Sequence, residues 1–296
     1  MLWRERGARH WGVWAALALC LTGTPTQAAD KGAAPEGPIS ARIVLAGPAS
    51  DPPPPLPPDF CPSPAASSRS LAPQSAPALS LPAVRAALRP GGQLEILAIG
   101  SGSIFGPPPG RIFDSFVYRM AQALKAAVPE AGITLDLYGG RGIAAETLSR
   151  DLAARLAARP AQLVIWQTGT IEALHHVSTA ALAQALEEGR AAVLRAGAGL
   201  ILVDLPYSRI LRMHADLRPY EAVLRTEAAG PGVALFPRFE LMRGWAEGGG
   251  IDLEHSRRAE RLLNARRLQV CLGRALAGEI LAALPPSPER EHHIGR

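Results

Sequence analysis

The chain has 296 residues, 48% of them hydrophobic and 19% charged, which is enough apolar material for one large domain with a buried core. Its formal net charge of +5 is only mildly basic. With no zinc-finger spacing, RNP motif or basic stripe interleaved with aromatics, it excludes a nucleic-acid-binding module. There is no C-x-x-C pair and no His/Cys cluster, so no metal is expected, and no cofactor motif is present.

Arg4, Arg6 and Arg9 precede a short apolar run from Val13 to Thr22, and Thr26-Gln27-Ala28 has the small-x-small pattern of a leader cleavage site. Residues 1–28 read as an export signal removed after Ala28, with a retained N-terminal anchor as the alternative. Once the signal is cleaved no membrane anchor is expected, because the run is too short to span a bilayer. Cys20 leaves with the signal, and Cys61 and Cys271 remain. Two lone cysteines in an oxidising compartment tend to pair, so a Cys61–Cys271 bridge is expected, with two separately buried thiols as the alternative.

Residues 29–92 form a Pro/Ala-rich arm that holds more than half of the chain's 28 prolines. Asp51-Pro52-Pro53-Pro54-Pro55-Leu56-Pro57-Pro58 is polyproline-like and supplies no helix or ladder hydrogen bonds. The arm is expected to be extended and to touch the domain near Cys61, with a short helix within Leu81 to Leu88.

From Gln93 the pattern changes. Leu94 to Ile99 is an apolar run ending in Gly100, the mark of a buried strand. Phe113 to Ala127 has helical spacing, with Phe113, Phe116, Val117, Met120, Leu124 and Val128 on one face. Ile133 to Tyr138 predicts a strand, Glu146 to Ala158 a helix stopped by Pro160, and Leu163 to Trp166 a third strand. Ser178 is placed to cap a helix running to about Arg195. Leu200 to Leu205 and Val233 to Phe236 predict two more strands, and Pro219 to Ala228 a helix. A short helix near Glu240 and a long one from about Ala259 to Leu284 follow.

Short apolar strands alternating with amphipathic helices imply a doubly wound α/β fold. The expectation is a three-layer α/β/α sandwich with a parallel, roughly five-stranded, flavodoxin-like sheet over residues 93–285. Residues 286–296 read as a disordered tail. Sites in such folds lie at the carboxyl ends of the strands. Here those ends are Gly100 to Ser103, Gly139 to Gly142, Gln167 to Glu172, and Pro206-Tyr207.

The loop Gly100-Ser101-Gly102-Ser103 offers backbone N–H groups but lacks a P-loop lysine, dinucleotide spacing and a G-x-S-x-G elbow. Asp252-Leu253-Glu254-His255 puts a carboxylate and an imidazole on one short turn, where the carboxylate can orient the ring. Taken singly it is more often a surface turn. His175 and His176 read as a polar rim, Tyr207 as pocket wall or packing, and Trp166 as core. Arg257, Arg258, Arg261, Arg266 and Arg267 make the start of the last helix basic; the ordinary meaning is a solvated face, the special one an anionic polysaccharide or lipid head group.

Taken in order, the segments ILAIGSGSIFG, YGGRGIAAE, LVIWQTGT and DLEH resemble the four blocks of the SGNH (GDSL-type) hydrolases, and most nearly an exported proteobacterial group. The resemblance covers roughly residues 92–284. It implies an ester hydrolase in which a block-one serine attacks the acyl carbon. His255 would be its base and Asp252 the support of that base. The block-two glycine N–H and the block-three asparagine would help to hold the oxyanion. Position by position, Gly102 stands where the nucleophile belongs, Ala145 where the glycine is expected and Ile171 where the asparagine is expected. Losing one oxyanion donor costs about 100- to 1,000-fold in rate. Losing the serine costs on the order of a million-fold. Ser103, or less readily Ser101, is the replacement nucleophile to consider.

Three functions follow as expectations. The first is an exported O-acyl esterase or deacylase with impaired or altered activity. The second is a pseudoenzyme that binds an acylated glycan, a lipid or a protein partner without cleaving it. The third is an envelope protein that reaches a partner through its arm.

Overall fold

The computed structural model describes residues 37–45, 61–62, 81–106, 112–254 and 257–284. The expected leader, most of the arm, the expected tail and His255 lie outside the described residues.

The sheet has six strands in the order β1-β3-β2-β4-β5-β6. These are β1 (Ile39–Leu45), β2 (Gln93–Ser101), β3 (Gly132–Gly140), β4 (Leu163–Gln167), β5 (Gly199–Val203) and β6 (Val233–Phe236). The five expected strands, β2 to β6, pair in parallel. The expected count is corrected by β1, an antiparallel strand from the arm that pairs with β3 from Ile39 opposite Gly139 to Leu45 opposite Ile133. Ala41, Ile43 and Leu45 pack on the core, while Val44 on the other face is 62% exposed. Arg42 sets the register from that outer face, donating to Asp136 at 2.8 Å and to Glu95 at 3.0 Å. At such exposure these pairs fix geometry more than they add stability.

Helices cover both faces. They are α1 (Pro82–Ala87), α2 (Phe116–Ala127), α3 (Ala145–Ala158), α4 (Thr170–Leu174), α5 (Thr179–Arg195), α6 (Arg209–His214), α7 (Arg218–Ala228), α8 (Arg238–Glu247) and α9 (Arg258–Ala282). On one face Phe116, Met120, Leu276 and Ile280 bury the sheet residues Ile96, Leu135 and Ile165. On the other, Leu148, Leu152, Leu186 and Leu224 bury Ile99, Val164, Trp166 and Leu202. Both faces of β4 and β5 are buried, which is why those strands read as unbroken apolar runs.

Local chemistry sets the helix starts. The Ser178 hydroxyl accepts from Ala181 N at 3.2 Å and caps α5 as expected. Ser115 does the same for α2, accepting from Tyr118 N at 3.2 Å. That cap corrects the expected helix from Phe113. Residues Ile112–Asp114 form a separate 3-10 turn, and Phe113 leaves the buried face to stand 58% exposed.

Cys61 and Cys271 are joined by a disulfide with Cα atoms 5.4 Å apart, closing a loop across 210 positions of sequence. Among the described residues, no helix is long and apolar enough to cross a membrane. Closing so long a loop removes much of the freedom of the unfolded chain. Cys61→Ala is expected to lower the unfolding free energy by about 2–4 kcal/mol. Denaturant titration with and without dithiothreitol checks this. The reductant should bring the native protein to the level of the variant and leave the variant unchanged; equal stability of the oxidised native protein and the variant would show the bridge to be idle.

Candidate functional site

The strand order reverses direction between β2 and β4, the place where ligands of such folds bind outside the carboxyl ends of the strands, and β3 lies on the other side of β2. Glycines let these ends converge. A Cβ on Gly139 would stand 1.8 Å from the carbonyl oxygen of Gly100, and one on Gly100 2.7 Å from that of Gln167. Neither position tolerates a side chain without backbone movement.

Ser101 ends β2 in extended conformation, and Gly102–Phe105 turn into a 3-10 helix. Gly102 is different from its glycine neighbours. A Cβ there would meet Arg141 Cα at 3.6 Å and Arg141 Cβ at 3.8 Å, ordinary contact distances, and its φ is not left-handed. The backbone therefore has room for a serine that the sequence does not supply.

The two flanking hydroxyls are both bound by one side chain. Gln167, at the end of β4 and 2% exposed, donates from Nε2 to Ser101 Oγ at 2.8 Å. Ser103 Oγ donates to Gln167 Oε1 in a short hydrogen bond. Whichever way the carboxamide is turned, one hydroxyl gives it a proton and the other accepts one.

A second knot lies beside the first. Glu172 in α4 is 1% exposed and accepts from Gly169 N at 2.8 Å, Ala145 N at 2.5 Å and Thr168 Oγ1 at 3.4 Å. It ties α4 to the start of α3. The Ala145 N–H, expected as an oxyanion donor, is thus donated to a carboxylate. Ile171 is half-buried beside it and has no side-chain donor.

Asp252 belongs to another cluster. Arg209 Nη2 reaches its two carboxylate oxygens at 2.9 and 2.7 Å, and Glu254 N donates to Oδ1 at 2.8 Å. Arg209 Nε also pairs with Glu254 at 2.9 Å. Hydrogen bonding to Asp252 first, and the charges of Asp252 and Glu254 after it, raise the Arg209 pKa. Glu254 accepts from Ser208 Oγ at 2.6 Å and from Arg209 N at 3.1 Å, so it fastens the start of α6. His175 and His176 are exposed. Tyr207 packs edge-on against Phe239 with centroids 5.4 Å apart, and Trp166 is fully buried. Among the described residues, no group of three His, Cys, Asp or Glu is placed to hold a metal ion.

Sequence reasoning missed Gln167, Glu172 and Arg209 as individual residues. The first two signals were present: a polar residue closing an apolar strand, and an acidic residue three places after Gly169. Arg209 is 43 positions from its partner Asp252 and leaves no local pattern.

Charge is also buried under the carboxyl edge of the sheet. Asp204, just past β5, is 4% exposed, and loss of hydration pushes its pKa up to about 7 even though Leu205 N donates to it at 2.7 Å. Burial of Arg238 lowers its pKa to about 10, opposed by the charge of Asp204. On α9, burial raises Glu279 to about 7.

A model of the non-GDSL lipase-like family matches residues 64–285. Among solved structures, the chain is similar to a G-D-S-L family protein from Desulfitobacterium hafniense DCB-2, with 17% identity and a TM-score of 0.48 over 62% of this chain and 98% of that one. It is also similar to the lipase/acylhydrolase from Enterococcus faecalis, with 17% identity and a TM-score of 0.46 over 61% and 96% of the two chains. A catalytic mutant of an acetylxylan esterase from Geobacillus stearothermophilus gives 17% identity and a TM-score of 0.44 over 66% and 95%. No curated protein matches.

The raised carboxyls fix a sign for the pH dependence. Folded Asp204 and Glu279 hold their protons more tightly than the unfolded chain does. Their contribution is complete below the usual carboxyl pKa near 4 and is lost as pH rises through about 7. The unfolding free energy is expected to fall between about pH 4 and pH 8, and Asp204→Asn to flatten that fall by on the order of 4 kcal/mol. Denaturant midpoints across this range check it; identical slopes for the two proteins would show that Asp204 does not titrate there.

Proposed function

The chain belongs to the non-GDSL lipase-like family, and from that premise we propose that it binds an acylated glycan or lipid at the carboxyl end of its sheet with ester cleavage lost. The observation that carries this reading is the Gln167 carboxamide held between Ser101 and Ser103. A hydroxyl becomes a nucleophile when a base draws off its proton. A neutral carboxamide is no such base. Freeing either serine would leave part of a buried amide unpaired, at about 1–3 kcal/mol.

The oxyanion side supports the same reading. A carbonyl oxygen developing negative charge on the Ala145 N–H would share that donor with the Glu172 carboxylate. Like charges at that range oppose each other, whereas an oxyanion hole works by presenting unshared donors. Ile171 adds none. A ligand with a neutral ester or amide carbonyl meets no such repulsion.

Hydrolysis through a relocated serine is the second reading. It is favoured by the presence of two hydroxyls next to residue 102 and by Asp252-x-x-His255. Export is part of the proposal. The Arg-rich leader pattern supports it, and so does the Cys61–Cys271 bridge, a bond that persists in oxidising compartments.

A fluorophosphonate probe that labels activated serines separates the two readings, with adducts mapped by mass spectrometry beside an active family member. The native protein is expected to remain unlabelled. Gly102→Ser is expected to acquire slow labelling at residue 102, because the site has room for the side chain. Labelling of native Ser103 or Ser101 that vanishes in His255→Ala would overturn the proposal in favour of a relocated nucleophile.

A further inference from the structure

The last helix is held along only part of its length. Leu268, Cys271, Leu272, Leu276, Ala277 and Ile280 of α9 are buried. Its first three turns, about 15 Å of helix, contain no buried residue. Leu262 is 40% exposed and Leu263 66% exposed.

At 3.6 residues per turn, Ala259, Leu262, Leu263 and Arg266 share one face, with Arg258 and Arg267 on its two flanks. That face points roughly away from the direction in which Leu268 enters the core. Between residues 257 and 267 stand five arginines and one glutamate. The 3-10 turn that carries the exposed Phe113 packs against the same helix, and Phe116 N, just after it, donates to Gln269 Oε1 at 2.8 Å.

A single exposed leucine is ordinary. Two adjacent leucines on the outer face of a basic helix call for an apolar phase bordered by negative charge. Arginine suits that border, because its stem lies along apolar surface while its guanidinium stays with phosphates. We propose that the first three turns of α9 are a docking surface for an anionic phospholipid bilayer. Leu262 and Leu263 enter the boundary between head groups and acyl chains, and the exposed Arg258 and Arg266 meet lipid phosphates. The inference does not depend on whether an ester is cleaved.

The surface is coupled to the candidate site. Asn264, next to Leu263, donates from Nδ2 to Asp252 O at 3.1 Å, and Arg267 donates to Gly250 O at 2.9 Å. The turn that carries Asp252 is thus tied to the same three turns of α9.

The test uses the protein as processed by an expressing cell, sedimented with phosphatidylcholine vesicles with and without phosphatidylglycerol. Binding is expected only with phosphatidylglycerol and is expected to weaken with added salt. Leu262→Ser/Leu263→Ser should reduce it by about 10-fold or more with only a small shift of the unfolding midpoint, since both residues are largely outside the core and serine is the poorer helix former. In the native protein, amide exchange should slow over residues 257–267 when vesicles are added, a local reading that needs no variant. Equal binding of the double variant, equal binding to neutral vesicles, or exchange slowed only elsewhere would overturn the proposal. So would a dimer in sedimentation that the double variant abolishes, which would assign the face to a second copy. Tighter binding of a soluble anionic polysaccharide that ignores the leucine changes would assign it to a polyanion instead.

Discussion

Everything at the candidate site depends on how closely three backbones approach one another. The ends of β2, β3 and β4 converge because Gly139 has no side chain where a Cβ would fall 1.8 Å from the Gly100 carbonyl oxygen. With the strands that close, one carboxamide at the end of β4 reaches two hydroxyls at the end of β2 and just beyond it. The Gly100 and Gly139 hydrogens are thus as much a part of the site as Gln167 is. Any side chain there would part the strands before it altered the chemistry.

The site combines an accommodating position with occupied ones. Gly102 is unstrained and would take a Cβ at ordinary contact distance, so the backbone path is that of a loop able to carry a side chain. Gln167 and Glu172, by contrast, already bond to neighbouring groups of the protein, Gln167 to two hydroxyls and Glu172 to two backbone N–H groups and a hydroxyl. Buried polar groups are costly to leave unpaired, so these bonds resist rearrangement. The Arg209 clamp on Asp252 and Glu254 adds rigidity on the other side, joining the segment before α9 to the start of α6.

Much of the fold was legible in the sequence, for reasons particular to each segment. Strands β2, β4 and β5 are buried on both faces, so their apolar runs stand out, and each is cut off by a glycine or polar turn. Helix α5 showed its start because Ser178 is a cap that acts through its own side chain. Strand β1 was not legible: it lies at an edge among prolines, only Ala41, Ile43 and Leu45 face the core, and its pairing is with a segment some ninety positions away. Phe113 misled because its spacing fits the helix that Ser115 then separates from it. At the site, the loops could be located from strand ends alone. The partners of Ser103, Ala145 and Asp252 could not, because hydrogen bonds between distant segments leave no periodicity behind.

The bridge between Cys61 and Cys271 has a mechanical meaning beyond stability. The five parallel strands and the whole candidate site lie between these two cysteines, inside a covalently closed ring. Tension applied through the segment before Cys61 can peel the edge strand β1, but it then passes through sulfur into α9. A molecule held by its proline-rich arm would lose one strand and keep the five parallel strands within the ring.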